Sequence, residues 1–277
     1  TAAGYTYSGE RFAKYFKDFA EKYHFADMYA GGFYPYPSLG EFWAYWSRYI
    51  WINRYAPIPT DLYRQLLDLV RGKDYFVLTT NVDHCFQRSG FDKKRLFYTQ
   101  GDYGLFQSLH PSGPSAGKTY DNYEMVREML LAQGWQFSEN NDLLWPAGGQ
   151  VKMTIPDNFL PFCPDDGQAM TTNLRIDEDF VQDAGWQQAA GRYRDFLLKN
   201  AGKKIVYLEL GVGMNTPAII KYPFWQLTAE NKNAFYICVN QGEAGCSEDI
   251  LDRSLLINGG IAELVDAAGK LPAEGEK

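Results

Sequence analysis

Long apolar runs are missing from this sequence. None approaches the ~18 residues a membrane-spanning helix needs, so no membrane partner is expected. No secretory signal pattern opens it. Cysteine is sparse: Cys85, Cys163, Cys238 and Cys246 are scattered, which argues against a disulfide framework. The cytoplasm is therefore the expected compartment. A basic surplus is missing as well. The net charge of −7 excludes general affinity for nucleic acid. Internal repeats and low-complexity segments are lacking, and only Pro272 to Lys277 has the composition of a disordered tail.

Aromatics are plentiful: 20 Tyr, 18 Phe and 7 Trp in 277 residues, enough chain for one large domain or two small ones. Many fall in the first quarter. Phe12, Phe16, Phe19 and Tyr23 recur at helical spacing over residues 10–29, with Gly31-Gly32 as the stop. Ser38 to Tyr55 is a second helical pattern with Phe42, Trp43, Trp46, Tyr49 and Ile50 on a broad apolar face. Core packing is the expected role of these rings. Lining an acceptor tunnel is the alternative.

The chain is organised around Thr79 to Gly104. An apolar run, Tyr75 to Leu78, reads as a buried strand ending in Thr-Thr-Asn. A second short strand, Arg95 to Tyr98, ends in Thr-Gln-Gly-Asp. Ligands of open α/β sheets bind at the strands' carboxyl ends. These two ends would carry Asn81, Asp83, Gln100 and Asp102 into one crevice. Helices are expected over 61–71 with Thr60 as N-cap, over 122–133 and over 186–199. Further strands are expected at 204–210, 234–239 and 254–257. Thr216 is placed as N-cap of a helix with Pro217 at its first position. A last helix is expected over 258–268. Strand–helix alternation argues a doubly wound parallel sheet with right-handed crossovers.

The stretch Thr79, Asn81, Val82, Asp83, Gln87, Arg88, Ser89, Gly90 resembles the signature of the sirtuins, NAD-consuming protein deacylases and ADP-ribosyltransferases. The resemblance runs through nearly the whole chain. It implies a Rossmann-like NAD-binding domain over 1–9, 60–105 and 165–277. A smaller domain would combine a helical module, 10–59, with a degenerate zinc-ribbon module, 106–164. It also implies a first strand and glycine-rich loop of which Thr1-Ala2-Ala3-Gly4 matches only the end.

Several departures narrow the reading. Thr80 replaces a usual Gln, and Gln100 replaces the catalytic His of the deacylases. Tyr5 to Phe12 reads YTYSGERF where most sirtuins have an Asp-Phe-Arg cap. Asn173 to Asp177 replaces the strand that pairs with an acyl-lysine peptide, leaving Arg175 as a candidate for an anionic acceptor group. The family's two C-x-x-C zinc pairs are reduced to Cys163, with Asp166 in place of the second cysteine and His110 nearby; no zinc is expected. SGERF and Gln100 resemble the macrodomain-linked subclass of sirtuins.

The resemblance assigns Asn81, Gln100 and Asp83 to catalysis. It assigns Ala3, Gly4, Tyr5, Arg11, Thr80, Gly211, Val212, Gly213, Asn215, Thr216, Asn240, Gln241, Gly260 and Ile261, with the catalytic three, to NAD. Deacylation needs a base with a pKa near the operating pH, which Gln100 cannot supply. Loss of that base penalises deacylation more than ADP-ribosyl transfer. The implied activity is mono-ADP-ribosyl transfer from NAD to a lipoylated carrier protein, with a macrodomain hydrolase as possible partner. A deacylase and a non-catalytic NAD- or ADP-ribose-binding module are the competing readings.

Overall fold

In the computed structural model, residues 6–214 and 216–270 are described. Helix α1 (Glu10–Tyr23) stops earlier than its pattern suggests, because His24 turns left-handed at φ 60°. Asp27 then caps α2 (Met28–Gly32), its carboxylate accepting from the Ala30 N–H. Ser38 caps α3 (Leu39–Ile50), and this helix runs on into a π-helical turn, Trp51–Tyr55. Then come α4 (Leu62–Val70), β1 (Val77–Thr79), α5 (Cys85–Arg88) and β2 (Leu96–Tyr98). Strand β3 (Gly101–Ser108) follows, then β4 (Tyr120–Asp121), α6 (Tyr123–Gln133), β5 (Gln136–Phe137), β6 (Leu143–Leu144) and β7 (Met170–Leu174). The chain closes with α7 (Ala184–Asn200), β8 (Ile205–Leu210), α8 (Lys221–Glu230), β9 (Ala234–Asn240), β10 (Ser254–Asn258) and α9 (Ile261–Gly269).

The aromatic residues of the first quarter build a core with the middle of the chain. Phe16, Phe19, Tyr45, Trp43 and Trp51 are buried together with Phe106, Met129, Leu130, Trp135 and Met170. Each large ring removes some 150–250 Å² from water, so this cluster holds α1, α3, α6 and the antiparallel β4-β3-β7 sheet together. The Trp and Phe residues of α3 thus pack as core.

The parallel strands are the Rossmann-like part. β1 pairs with β2, and β10, β9 and β8 pair in that order. Val77 and Leu96 face α4 and α9 in a core shared with Leu210 and Ile261, while Phe97 and Phe76 pack on Trp186 and Tyr193 of α7. Helices therefore cover both faces. The parallel strands form two hydrogen-bonded groups; β1 and β8 each have one edge without a strand partner among the described residues.

One helix start differs from expectation. Thr216 does not cap α8, which begins at Lys221. Pro223 explains the shift. A helix begun at Pro217 would put Pro223 in its interior, without a donor and against the preceding turn, whereas from Lys221 it sits in the first turn.

Candidate active site

Residues at the carboxyl ends of β1 and β2 meet as their strands dictate. Thr79 is in register with Tyr98, and the Thr99 N–H donates to the Thr79 carbonyl at 3.0 Å. The chain leaving β1 is then fixed by its own side chains. The Asn81 N–H donates to Thr79 Oγ1 at 3.0 Å, and the Cys85 N–H to Asp83 Oδ1 at 2.9 Å, so Asp83 both faces the crevice and starts α5. From the β3 side, the Tyr103 N–H holds the Val82 carbonyl at 3.0 Å.

These residues open on a cavity of about 680 Å³ between the two parts of the molecule. Of the residues assigned from the sequence, Arg11, Thr80, Asn81, Asp83, Gly211 and Ile261 line it. Arg11 reaches across to the π-helical turn, donating from Nη2 to the Ile52 carbonyl at 2.8 Å and to Asn53 Oδ1 at 3.2 Å. Gly211 has φ 68°, and a Cβ there would lie 3.1 Å from Ile261 Cδ1, so glycine lets β8 and α9 approach at the cavity's end.

Tyr7, Tyr49, Tyr63, Phe86 and Tyr103 form an aromatic wall; Tyr49 stood on the aromatic face read from the sequence, whereas Tyr63, Phe86 and Tyr103 were not singled out. Burial first, then neighbouring phenols and acids, holds the Tyr7 and Tyr103 hydroxyls above the ordinary phenol range. They stay protonated at neutral pH and present donors rather than bases.

Other assigned residues lie elsewhere. Val212, Gly213, Asn240, Gln241 and Gly260 cluster at the carboxyl ends of β8, β9 and β10, beyond the cavity wall. There the Asn240 amide is occupied, donating to the Val212 carbonyl at 2.9 Å. Thr216 sits in the turns ahead of α8. Ala3, Gly4, Tyr5 and Asn215 lie outside the described residues.

Gln100 does not line the cavity. Its side-chain amide donates to Thr99 Oγ1 at 3.3 Å, and its main-chain carbonyl accepts the Arg175 N–H at 3.0 Å. Asp102 also leaves the crevice. Gly101, at φ 100°, turns the chain there, and a Cβ on it would lie 1.9 Å from the Asn173 carbonyl oxygen. Asp102 is buried, taking Arg54 Nε at 2.8 Å and the Gly104 N–H at 2.7 Å. His84 Nε2 lies 2.9 Å from its other oxygen. Burial alone would raise the Asp102 carboxyl; His84 and Arg54 outweigh it and hold it at about 2. Neither Arg54 nor His84 stands out in the sequence.

Arg175 is exposed, its guanidinium 5.9 Å from the Phe180 ring centre. Of the three residues considered as a metal set, Cys163 and Asp166 are neighbours, while His110 is engaged elsewhere. His110 is beside Asp179 at 2.9 Å, Cys163 Sγ is 3.3 Å from the Tyr120 hydroxyl, and Asp166 accepts from Ser108 Oγ at 2.8 Å. Among the described residues no three His, Cys, Asp or Glu side chains converge as a metal site. No helix among them is long and apolar enough to cross a membrane.

A protein ADP-ribosyltransferase of Staphylococcus aureus (strain Mu50 / ATCC 700699) is 35% identical to this chain over 266 residues, covering 96% of this chain and 78% of that protein. A probable bifunctional ADP-ribose hydrolase/ADP-ribosyltransferase of Fusarium oxysporum f. sp. cubense is 26% identical over 205 residues, or 69% of this chain and 30% of that protein. Among solved structures, a Sir2 homolog in complex with NAD superposes with a TM-score of 0.51 at 13% identity, over 83% of this chain and 70% of the other. A Sir2 homologue mutant with ADP-ribose gives 0.53 at 12% identity, over 83% and 72%. At such identities these two establish the fold. No protein-family model matches the chain.

Proposed function

The chain belongs to the sirtuin-type protein ADP-ribosyltransferases, and from that premise we propose that it transfers ADP-ribose from NAD, with release of nicotinamide, to a lipoylated carrier protein of the glycine-cleavage type. The observation that carries the reading is Asn81 and Asp83 together on the wall of the large cavity, and Gln100, which does not line it, stands at the sequence position that the resemblance gives to the deacylase base. The solved Sir2 homologues that hold NAD and ADP-ribose support NAD as the substrate of this fold.

NAD supplies an anomeric carbon that becomes oxocarbenium-like as nicotinamide leaves. Asp83 has a carboxylate oriented by the Cys85 N–H; it would accept from the departing carboxamide and favour the positive charge that develops. Asn81, exposed on the wall with Nδ2 3.4 Å from the Tyr63 hydroxyl, would orient the ribose hydroxyls or the incoming nucleophile. Arg11 is the cation on this wall for the diphosphate. Gln100, one step behind at the end of β2, would act through the strand end.

The Fusarium relative joins an ADP-ribose hydrolase to a transferase, which supports a macrodomain hydrolase as partner. The four cysteines are free thiols, which fits the cytoplasm. Intact-mass analysis of the carrier after incubation with NAD tests the acceptor. Lipoylated carrier should gain one ADP-ribose while the unlipoylated form stays unmodified. Equal labelling of both forms would remove lipoyl recognition from the account.

A further inference from the structure

We propose that His84, Asp102 and Arg54 form a positioning unit that fixes the Asn81–Asp83 loop for nicotinamide departure; this rests on the transferase reading above. His84 directly follows Asp83 and has φ 58°, a left-handed conformation uncommon outside glycine that histidine enters more readily than most side chains and that His24 and Asn141 share. Such a conformation persists where the surroundings over-determine it, and these clamps cluster at functional sites. Here the surroundings are charged and buried. His84 Nδ1 is 3.0 Å from Arg54 Nη2, and Nε2 is 2.9 Å from Asp102 Oδ2, off the line of a good hydrogen bond. A guanidinium only donates, so Nδ1 accepts and the imidazole hydrogen lies on Nε2, toward the carboxylate.

Arg54 is delivered by the π-helical turn, a rare element that is frequent at functional sites. The same turn holds Arg11 through Asn53 and the Ile52 carbonyl, so one irregular turn reaches the cavity wall and the back of the Asp83 loop. The loop is therefore gripped twice: by the Tyr103 N–H on the Val82 carbonyl and by the imidazole one residue after Asp83. Arg54, His84 and Asp102 do not line the cavity, so they act on Asp83 through the backbone and do not touch substrate.

Nicotinamide release from NAD in the presence of the lipoylated carrier, measured for His84→Ala, His84→Gln and Asp102→Asn, tests this. His84→Ala and Asp102→Asn should lower kcat at least tenfold with KM for NAD changed less than threefold. His84→Gln keeps one acceptor and one donor and should recover a third or more of the wild-type kcat. Hydrogen exchange over residues 79–88 should quicken in the two damaging variants beyond any change elsewhere. Either a kcat within twofold of wild type in both, or a kcat loss that simply follows melting temperature through the series, overturns the proposal. Wild-type protein that releases no nicotinamide overturns the transferase reading instead. The exchange comparison then decides positioning alone, and unchanged exchange over 79–88 defeats it.

Discussion

Asn81 is the residue on which the proposed chemistry turns most directly. Its backbone is held by Thr79 while its carboxamide faces the cavity, so Asn81→Ala removes the orienting group without disturbing β1. Loss of one such donor costs on the order of 3 kcal/mol, so transfer should fall about a hundredfold or more, as single-turnover kinetics would show. Gln100→Ala should fall less, because its amide bonds Thr99 rather than lining the cavity. Equal losses in the two variants would return Gln100 to direct contact. Asp102 makes a separate prediction, about acid. Its carboxyl is held at about 2 in the folded protein against an ordinary 3.8. A depressed carboxyl stabilises the fold above its unfolded value and loses that contribution as pH falls through the folded one. About 2 kcal/mol should disappear between pH 4 and 2, and Asp102→Asn should flatten this part of the melting-temperature profile.

Element by element, the parts defined by local pattern were legible and the parts defined by long-range contact were not. The runs that became β1, β2, β8, β9 and β10 are short, apolar and closed by Thr, Asn or Gly, which suits strands covered on both faces. Ser38 and the aromatic spacing after it located the start of α3 within a residue, whereas the pattern's end at Tyr55 took in the π-helical turn beyond Ile50. That Trp51–Tyr55 is helical was within the expected pattern, but its π winding had no signal, since its distinctive product, Arg54 on Asp102, joins residues 48 apart in sequence. Asp102 was placed in the crevice by counting from the strand end, and the left-handed turn at Gly101 overturned that count. Thr216 looked like a cap because its local pattern is good; Pro223, six residues beyond Pro217, decided otherwise. The start of α8 also carries a buried ion pair. Lys221 Nζ lies 2.6 Å from Glu209 Oε1 with both side chains essentially inaccessible, and Glu209 also accepts from the Tyr236 hydroxyl. Breaking such a pair from one side leaves a charge without its counterion. Lys221→Met should therefore destabilise the protein by roughly 3–5 kcal/mol in urea unfolding, and a loss below about 1 kcal/mol would show that the pair is tolerated rather than needed.

At the scale of the molecule, an aromatic core and a Rossmann-like half meet around one cavity, which takes Arg11 and the tyrosines from one side and Asn81, Asp83 and Gly211 from the other. Sequence similarity places the chain among protein ADP-ribosyltransferases, and under the proposed function the cavity's residues would sustain NAD chemistry with Gln100 at the sequence position of the deacylase histidine. In the proposed reaction, cleavage of the nicotinamide bond would draw on charge stabilisation at Asp83 and orientation at Asn81, whereas collapse of a deacylation intermediate calls for a titrating base. The most direct measurement follows three quantities in one reaction of the protein with NAD and lipoylated carrier: nicotinamide released, ADP-ribose attached and acyl group lost. Nicotinamide and carrier-bound ADP-ribose should rise together, with the acyl group retained, and introducing Gln100→His should add little deacylation. Acyl loss exceeding ADP-ribose attachment in the wild-type protein would contradict the transferase reading.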